Sequence, residues 1–371
     1  MSTYVRGVIR EMEHRAEQVA HRRVQTLFVG GGTPSLLPVS ALERIFSAAG
    51  RCFTWTGDAE ISLEANPDSV DSSDQVRAWR DLGVTRVSLG IQSLDPHVLS
   101  LLGRTHTPEQ AASAVQCLKQ AGLTNLSLDL IWGVPGQDLE GWLGTLRKVM
   151  AWDPAHLSLY SLTIEPGTPL AAQEAGHSRK ICSGSSAEGA APPLSQERRT
   201  AGPIQSDGQL KWPDEDTWAD MFFQGRELLV QAGFEHYEIS NYARAGRICR
   251  HNSGIWQGEE YMGFGPSAVS TLDGVRRQNP ESLAQFFQMV DQGRPRPDEE
   301  ALSRRVRQRE RVMLGLRTSR GIDCLQDPSW MDKEMVEQLV QAGLMEVHNQ
   351  RLRLTPGGML VSNEILARML A

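Results

Sequence analysis

Three consecutive glycines, Gly30, Gly31 and Gly32, follow the apolar run "VQTLFV" and lead into Thr33 and Pro34. Backbone without Cβ atoms lets a ligand come close to carbonyls and amides, and it permits positive φ. The spacing is not that of a nucleotide loop. Ser35 stands where a Gly-x-Gly-x-x-Gly fingerprint needs its third glycine, and no Gly-Lys-Ser/Thr ending follows. A primary ammonium suits such a loop, because carbonyl oxygens accept its hydrogens, although a tight turn also asks for glycine. Further polar residues stand at or just past the ends of later β-rich runs: Glu64 with Asn66, Gln92 with Ser93, Asp129, and Glu165.

These residues need elements that bring them together. β-rich runs recur at intervals of roughly 25 to 45 residues, one β/α unit apart. They are "VQTLFV", "AEISLEA", "TRVSLGIQ", "NLSLDLIW", "HLSLYSLTI" and a later sixth, "FEHYEIS". The helical stretches between them carry start and stop signals. Ser40 with Glu43 reads as a capping box, as does Thr107 with Gln110, the latter with Pro108 at the first helical position. Gly83 and Gly122 read as helix terminators. Alternating strands and helices give a doubly wound sheet or a β/α barrel. Polar residues at successive strand ends favour the barrel, whose strand ends converge on one rim.

Composition narrows the function classes. At 371 residues the chain holds one large barrel and an appendage. A net charge of −7 supplies no basic field for nucleic acid. Cys52, Cys117, Cys182, Cys249 and Cys324 include no Cys-x-x-Cys pair, which fits a reducing compartment rather than a disulfide framework. No apolar run approaches the roughly 18 residues of a membrane span, so stable membrane insertion is not expected. The opening stretch is a charged amphipathic helix without a signal peptide's apolar centre. Its arginines admit a mitochondrial address, but Glu11, Glu13 and Glu17 count against one, and the cytoplasm is expected.

In order along the chain, "FVGGGTPSLL", "LEANPDSV", "RVSLGIQSLDPHVLSLLGRTH", "LSLDLIWGVPGQ", "LSLYSLTIEPGTPL" and "HYEISNYA" resemble the radical S-adenosylmethionine superfamily. Within it they resemble the haem-chaperone family HemW, which is related to the oxygen-independent coproporphyrinogen III oxidase, HemN. The resemblance implies that Gly30, Gly31 and Gly32 with Thr33 receive the amino group of S-adenosylmethionine. It implies that Glu64 accepts hydrogen bonds from the ribose and that Gln92 and Asp129 flank the cofactor. Arg104, in "GRTH", would meet the methionine carboxylate as a planar fork. Read alone, Arg104 also suits a charge at a helix C-terminus, and His106 beside it has no assignable role.

The resemblance also implies haem as cargo, haem-accepting proteins as partners, and a 4Fe-4S cluster held by Cys-x3-Cys-x2-Cys after the first barrel strand. The sequence contains no such triplet. In the family that motif lies just upstream of the helix that here begins "YVRGVIREMEHRA". Two readings are open: a start that has been cut or mis-set, or a variant without radical chemistry. Loss of the first strand would leave "VQTLFV" as an apolar edge, an aggregation hazard unless something covers it. The expected function is haem binding and delivery. The alternatives are a porphyrinogen-decarboxylating enzyme of the HemN type and a scaffold that binds S-adenosylmethionine without a cluster. No catalytic residue is assigned.

Two further stretches depart from the family pattern. Residues 177–209 are biased to Ser, Gly, Ala, Pro and Gln without apolar periodicity and read as a flexible insertion. A His-Asn-x-x-Tyr motif has been linked to haem in the family. Here His251 and Asn252 are present, but Ile255 replaces the tyrosine. His251 stays eligible as an axial ligand, against the blander reading of a structural hydrogen-bonding histidine. Cys249 is a weaker thiolate candidate, and Tyr261 could supply the missing hydroxyl only if the fold brings it near.

From Arg304 the chain changes character. "RRVRQRERVMLGLRTSRGI" is a basic amphipathic helix, followed by a helix, a hairpin turning at His348-Asn349-Gln350, and a last helix after Thr355-Pro356-Gly357-Gly358. The arginines at 304, 305, 307, 309 and 311 invite a nucleic-acid reading, but without interleaved aromatics a solvated face is expected. The expected fold is α/β: a partial (β/α)6-type, TIM-like barrel lacking its first strand, with a small winged-helix-like C-terminal domain. The expected divisions are 1–243 for the barrel, 244–303 for a connecting region with the His-Asn motif, and 304–371 for the C-terminal domain.

Overall fold

The computed structural model describes residues 2–164, 170, 211–292, 298–323 and 332–370. The expected insertion at 177–209, together with Glu165, Cys182 and Cys324, lies outside the described residues. Strands β1 (Arg23–Val29), β2 (Thr54–Ala65), β3 (Arg86–Gln92), β4 (Leu126–Trp132) and β5 (His156–Ser161) run parallel in that order. The sixth run is no further β/α unit. β6 (Glu235–Glu238) turns directly into β7 (Asn241–Ala243), and β7 pairs antiparallel with β5. Two intervening residues suffice for a hairpin, whereas a parallel crossover needs a dozen or so. The result is a curled seven-stranded half-barrel with the order β1-β2-β3-β4-β5-β7-β6.

Helices α1 (Ser2–Arg15), α2 (Val39–Cys52), α3 (Ser73–Asp81), α4 (Pro96–Leu101), α5 (Pro108–Gln120), α6 (Leu139–Ala151) and α7 (Glu215–Gln231) flank the parallel strands. Thr107 and Gln110 cap α5 reciprocally, as their spacing predicts. Ser40 does not cap α2: the helix already begins at Val39, after Pro38, and has no side-chain cap. Gly83 and Gly122 end α3 and α5 with φ of 98° and 90°.

Strand residues alternate with a period of two. Leu63, Val87, Leu89, Leu126, Leu128, Leu130 and Leu157 are buried in one core with Trp79, Leu118, Trp142 and Leu146 of the helices. The opposite face carries Glu60, Ser62 and Glu64 on β2, Arg86 and Ser88 on β3, Ser127 and Asp129 on β4, and His156, Ser158 and Tyr160 on β5. A parallel sheet covered by helices on both faces would be apolar throughout. This one has a polar lining. β1 is the edge strand and none of its residues is buried, in contrast to the almost wholly buried β3.

The N-terminal helix is tied down rather than free. Val5, Val8 and Met12 pack on Ala48 and Ala49 of α2 and on Phe286, Met289 and Val290. Glu11 and Arg15 form a buried ion pair at 3.1 Å. Glu11 also accepts from the Gly265 amide and Asn279 Nδ2, both at 2.8 Å, while Arg15 donates to the Gly263 carbonyl at 3.0 Å and Ser270 Oγ at 2.9 Å. Such partners are what make a buried pair tolerable.

Beyond the barrel, α8 (Arg250–Trp256) lies against β1, and a small sheet β8 (Val269–Leu272), β9 (Val275–Gln278) and β10 (Asp298–Ala301) precedes the C-terminal region, with α9 (Leu283–Asp291) between its last two strands. There α10 (Arg304–Leu316), β11 (Ile322–Asp323), α11 (Lys333–Gln341), β12 (Met345–His348) and β13 (Arg351–Leu354) follow a winged-helix order. Asn349 and Gln350, with φ of 49° and 62°, make the hairpin turn. Thr355 caps the short α12 (Pro356–Leu360), and α13 (Ser362–Met369) ends the region. This region docks on the barrel through backbone: Ser319 N–H donates to the Tyr237 carbonyl and Ile239 N–H to the Arg317 carbonyl. Among the described residues no helix is long and apolar enough to cross a membrane.

Candidate functional site

The glycine loop leaves β1 at the C-terminal rim of the half-barrel, next to the end of β2. Gly31 N–H donates to Glu64 Oε2 at 2.9 Å, and Asn66 Nδ2 donates to Thr33 Oγ1 at 3.0 Å, so two bonds fix the loop on the neighbouring strand end. A Cβ at position 30 would lie 2.9 Å from the Glu64 carboxyl carbon and closer still to the Phe28 ring. Only glycine fits there. Gly31 and Gly32 have φ of 87° and 68°, and a Cβ on either would meet nothing within 4 Å. One side of the loop is therefore held by protein and the other is open.

Glu64 stands one residue from the end of β2. Burial raises its carboxyl above the ordinary range; the Gly31 bond pulls against that, and the nearby Asp129 charge adds to it. Asp129 is not at a strand end, because β4 runs on to Trp132, so it sits one layer below the rim. It accepts from Ser88 Oγ at 2.7 Å and Ser127 Oγ at 3.0 Å. Burial raises its pKa too, with the serine hydroxyls opposing. Gln92 closes β3 in a left-handed conformation, φ 64°, where the β3–β4 register slips. Its amide folds back to within 2.7 Å of where a Cβ on Gly90 would be, so a side chain there would push the Gln92 and Asn66 amides aside.

Arg104 follows Gly103, the left-handed residue that ends α4, and its Nε is buried with no hydrogen-bond partner. An orphaned guanidinium nitrogen is costly unless something occupies it. His106 is buried, with Nε2 3.0 Å from the Ile91 carbonyl, which gives this residue a structural place.

Deeper in the barrel lies a polar network that the rim residues alone do not announce. Glu60 and Arg86 pair at 3.1 Å, both almost fully buried, and Arg86 also donates to the carbonyls of Arg247 and Ile248. His156 bridges Ser127 Oγ and the Tyr237 hydroxyl, each at 2.8 Å. Burial and the Arg86 charge push its pKa down to about 3. The signal for these residues was present as period-two polarity in "AEISLEA", "RVSLG" and "HLSLYS".

His251 faces β1 from α8. Its ring stacks on Phe28 with centroids 5.0 Å apart, and Nδ1 lies 3.0 Å from Thr26 Oγ1. Burial lowers its pKa against the influence of Glu60, so the imidazole is neutral at pH 7. Cys249 is a poor thiolate candidate: burial pushes its pKa up to about 12, and its thiol faces Glu60. Tyr261 does not stand in for the missing tyrosine. Its backbone bridges Thr271 on β8, and the ring partners of His251 are Thr26 and Phe28 instead.

The cofactor residues divide into two groups. Around the loop, a carboxylate with one oxygen already bonded and open glycine carbonyls fit a zwitterionic, hydroxylated ligand such as S-adenosylmethionine, and Arg104 after α4 adds a guanidinium whose Nε has no partner. A 4Fe-4S cluster is different, because it requires thiolates. Cys52 ends α2 and Cys117 lies on α5, both in the outer helical layer. Among the described residues no three His, Cys, Asp or Glu side chains converge as a metal site. The residues present do not fit a cluster.

Residues 3–149 match the radical SAM superfamily and residues 302–361 match the HemN C-terminal domain. The chain is 33% identical over 395 residues to the heme chaperone HemW of Synechocystis, covering 99% of this chain and 87% of that protein. It is 33% identical over 364 residues to the heme chaperone HemW of Mycobacterium tuberculosis, covering 97% and 84%. In three dimensions it is similar to the coproporphyrinogen III oxidase HemN of Escherichia coli, with a TM-score of 0.78 over 99% of this chain and 82% of that one. The identity in that pair is 24%, so the likeness speaks for the fold.

Proposed function

The chain belongs to the HemW haem-chaperone family of the radical S-adenosylmethionine superfamily, and on that premise we propose that it binds haem and passes it to haem-requiring proteins. The observation that carries this reading is near full-length identity to proteins named as heme chaperones. His251 supports it. Its Nδ1 shares a hydrogen bond with Thr26 Oγ1, and in the tautomer with the proton on Nδ1 the neutral ring would present its Nε2 lone pair to a metal.

The rim is the site we assign to S-adenosylmethionine. Carbonyls of Gly30, Gly31 and Gly32 take the ammonium, Thr33 holds the loop to Asn66, and the free oxygen of Glu64 takes a ribose hydroxyl. Arg104 offers its orphaned Nε side to the carboxylate, while Gln92 and Asp129 shape the wall and floor. When bound, that cofactor is a source of one-electron chemistry in the superfamily; the residues here bind and orient it. The cytoplasm is the compartment this reading favours.

Adding haemin to the purified protein tests the reading. A saturable Soret shift at one equivalent, lost in His251→Ala, is expected. No saturable shift, or release of a decarboxylated tetrapyrrole from a porphyrinogen incubated anaerobically with S-adenosylmethionine, would count against carriage and for an enzyme.

A further inference from the structure

A cleft of about 680 Å³ separates α10 from the segment after α8. Its charge is one-sided. Arg304, Arg307 and Arg311, spaced i, i+3 and i+7, share one face of α10, and all three line the cleft. Each is exposed, and none has an acidic partner among the described residues. Arg320 and Arg351 add positive charge from the facing wall, where Arg320 donates to Gln257 at 3.0 Å. Three acids line the cleft and all are engaged: Glu310 by Arg276 at 2.8 Å, Glu260 by Arg22 and the Asp273 amide, and Asp323 by a contact of its own.

Unpaired guanidinium groups held together on a concave surface repel one another, and an anion relieves that repulsion. The chain as a whole carries a charge of −7, so this cluster is no reflection of composition. The apolar part of the remaining lining includes Trp256, Leu302, Leu314 and Ile322, beside the polar Gln257, Thr271, Gln308 and Thr318. The Trp256 side chain lies beside the buried Glu238 carboxyl. A basic rim over an aromatic and aliphatic wall matches a flat apolar body with more than one carboxylate, and a phosphate chain would leave those walls unused.

We propose that this cleft is a docking station for the dicarboxylate edge of a porphyrin, with its carboxylates on Arg304, Arg307 and Arg311 and its macrocycle against Trp256. The proposal deepens the haem-carriage reading and rests on it for the identity of the ligand. The station is separate from His251, which faces β1 earlier on the same helix. It recognises carboxylates, so it needs no iron.

Iron-free protoporphyrin IX is the probe, followed by fluorescence titration with its dimethyl ester as the comparison. The full chain should bind the diacid about tenfold or more tightly than the ester, a charge-assisted bond's worth of affinity or better. The triple variant Arg304→Gln, Arg307→Gln, Arg311→Gln should bind the diacid about tenfold or more weakly. A variant with Arg305→Gln and Arg309→Gln, which removes two charges from the same helix outside the cleft, should bind as the parent does. Equal affinity for diacid and ester, or an undiminished triple variant, would overturn the station. Failure of haem ligation alone would look different, because haemin would then give no axial Soret shift while protoporphyrin still discriminated between the variants.

Discussion

The interior of the half-barrel and the α10 cleft handle charge in opposite ways. In the barrel interior the charged groups are matched, Glu60 with Arg86 and Asp129 with Ser88 and Ser127, and at the rim the half-buried Glu64 has the Gly31 amide while Arg104 Nε has no partner. In the cleft Arg304, Arg307 and Arg311 are exposed and unmatched. Burial makes each barrel charge expensive, so the fold supplies a partner and with it a fixed geometry. Exposure makes the cleft charges inexpensive to hold, so they can wait for a ligand. Barrel substitutions should therefore register first in stability and cleft substitutions first in binding.

The largest test of that contrast is Arg86→Ala, which leaves Glu60 buried and unpaired. It should lower unfolding free energy by about 3–5 kcal/mol. Arg311→Ala on the exposed helix face should change it by less than about 0.5 kcal/mol. Urea denaturation of the two variants beside the parent makes the comparison, and similar losses would erase it.

Glu238 comes next, a buried carboxyl whose pKa burial pushes up to about 7. A raised carboxyl pKa stabilises the fold most below the unfolded value of about 4.5, and that contribution is lost as pH rises through 7. Relative to Glu238→Gln, the parent should lose about 3 kcal/mol between pH 4 and pH 8. Parallel stability curves for the two proteins would show that the group does not titrate this way.

Glu64→Gln sharpens the contrast at the rim itself. The variant keeps a hydrogen-bonding oxygen for Gly31 but loses the charge, so S-adenosylmethionine affinity by calorimetry should drop about tenfold. Its stability at pH 7 should hold or rise slightly, since the pKa of Glu64 is raised by burial in the fold. The smallest effect belongs to Ser62→Ala. The Ser62 hydroxyl is buried without a partner, so its removal should cost less than about 0.5 kcal/mol or stabilise. A loss above about 1 kcal/mol would mean that a bound water completes the network.

What the sequence made legible follows the same division. Strand periodicity and the glycine loop located the rim, because both are local: Gly30, Glu64 and Gln92 close or follow their own strands. The deeper layer of Glu60, Arg86 and His156 was written in the same alternation but lies below the rim, where strand-end reasoning does not look. Asp129 was placed too high for the complementary reason, since its strand continues three residues further. "FEHYEIS" has the composition of a strand, but the reversal after it depends on a two-residue turn and on pairing with β5. The charged α1 read as amphipathic, but nothing local announced that Glu11 finds Gly265 and Asn279 more than 250 residues away. The α10 cleft is the extreme case, since its far wall comes from residues on either side of the helix in sequence. Long-range approach has no local signature.

Haem carriage is most directly tested by transfer. The protein would be loaded with haem, separated from excess, and mixed with a haem-free acceptor, with the tetrapyrrole then recovered for mass analysis. Movement of haem to the acceptor with its mass unchanged is the predicted result. Haem that does not load or does not move, or a recovered tetrapyrrole lighter by lost carboxyl groups, would contradict it.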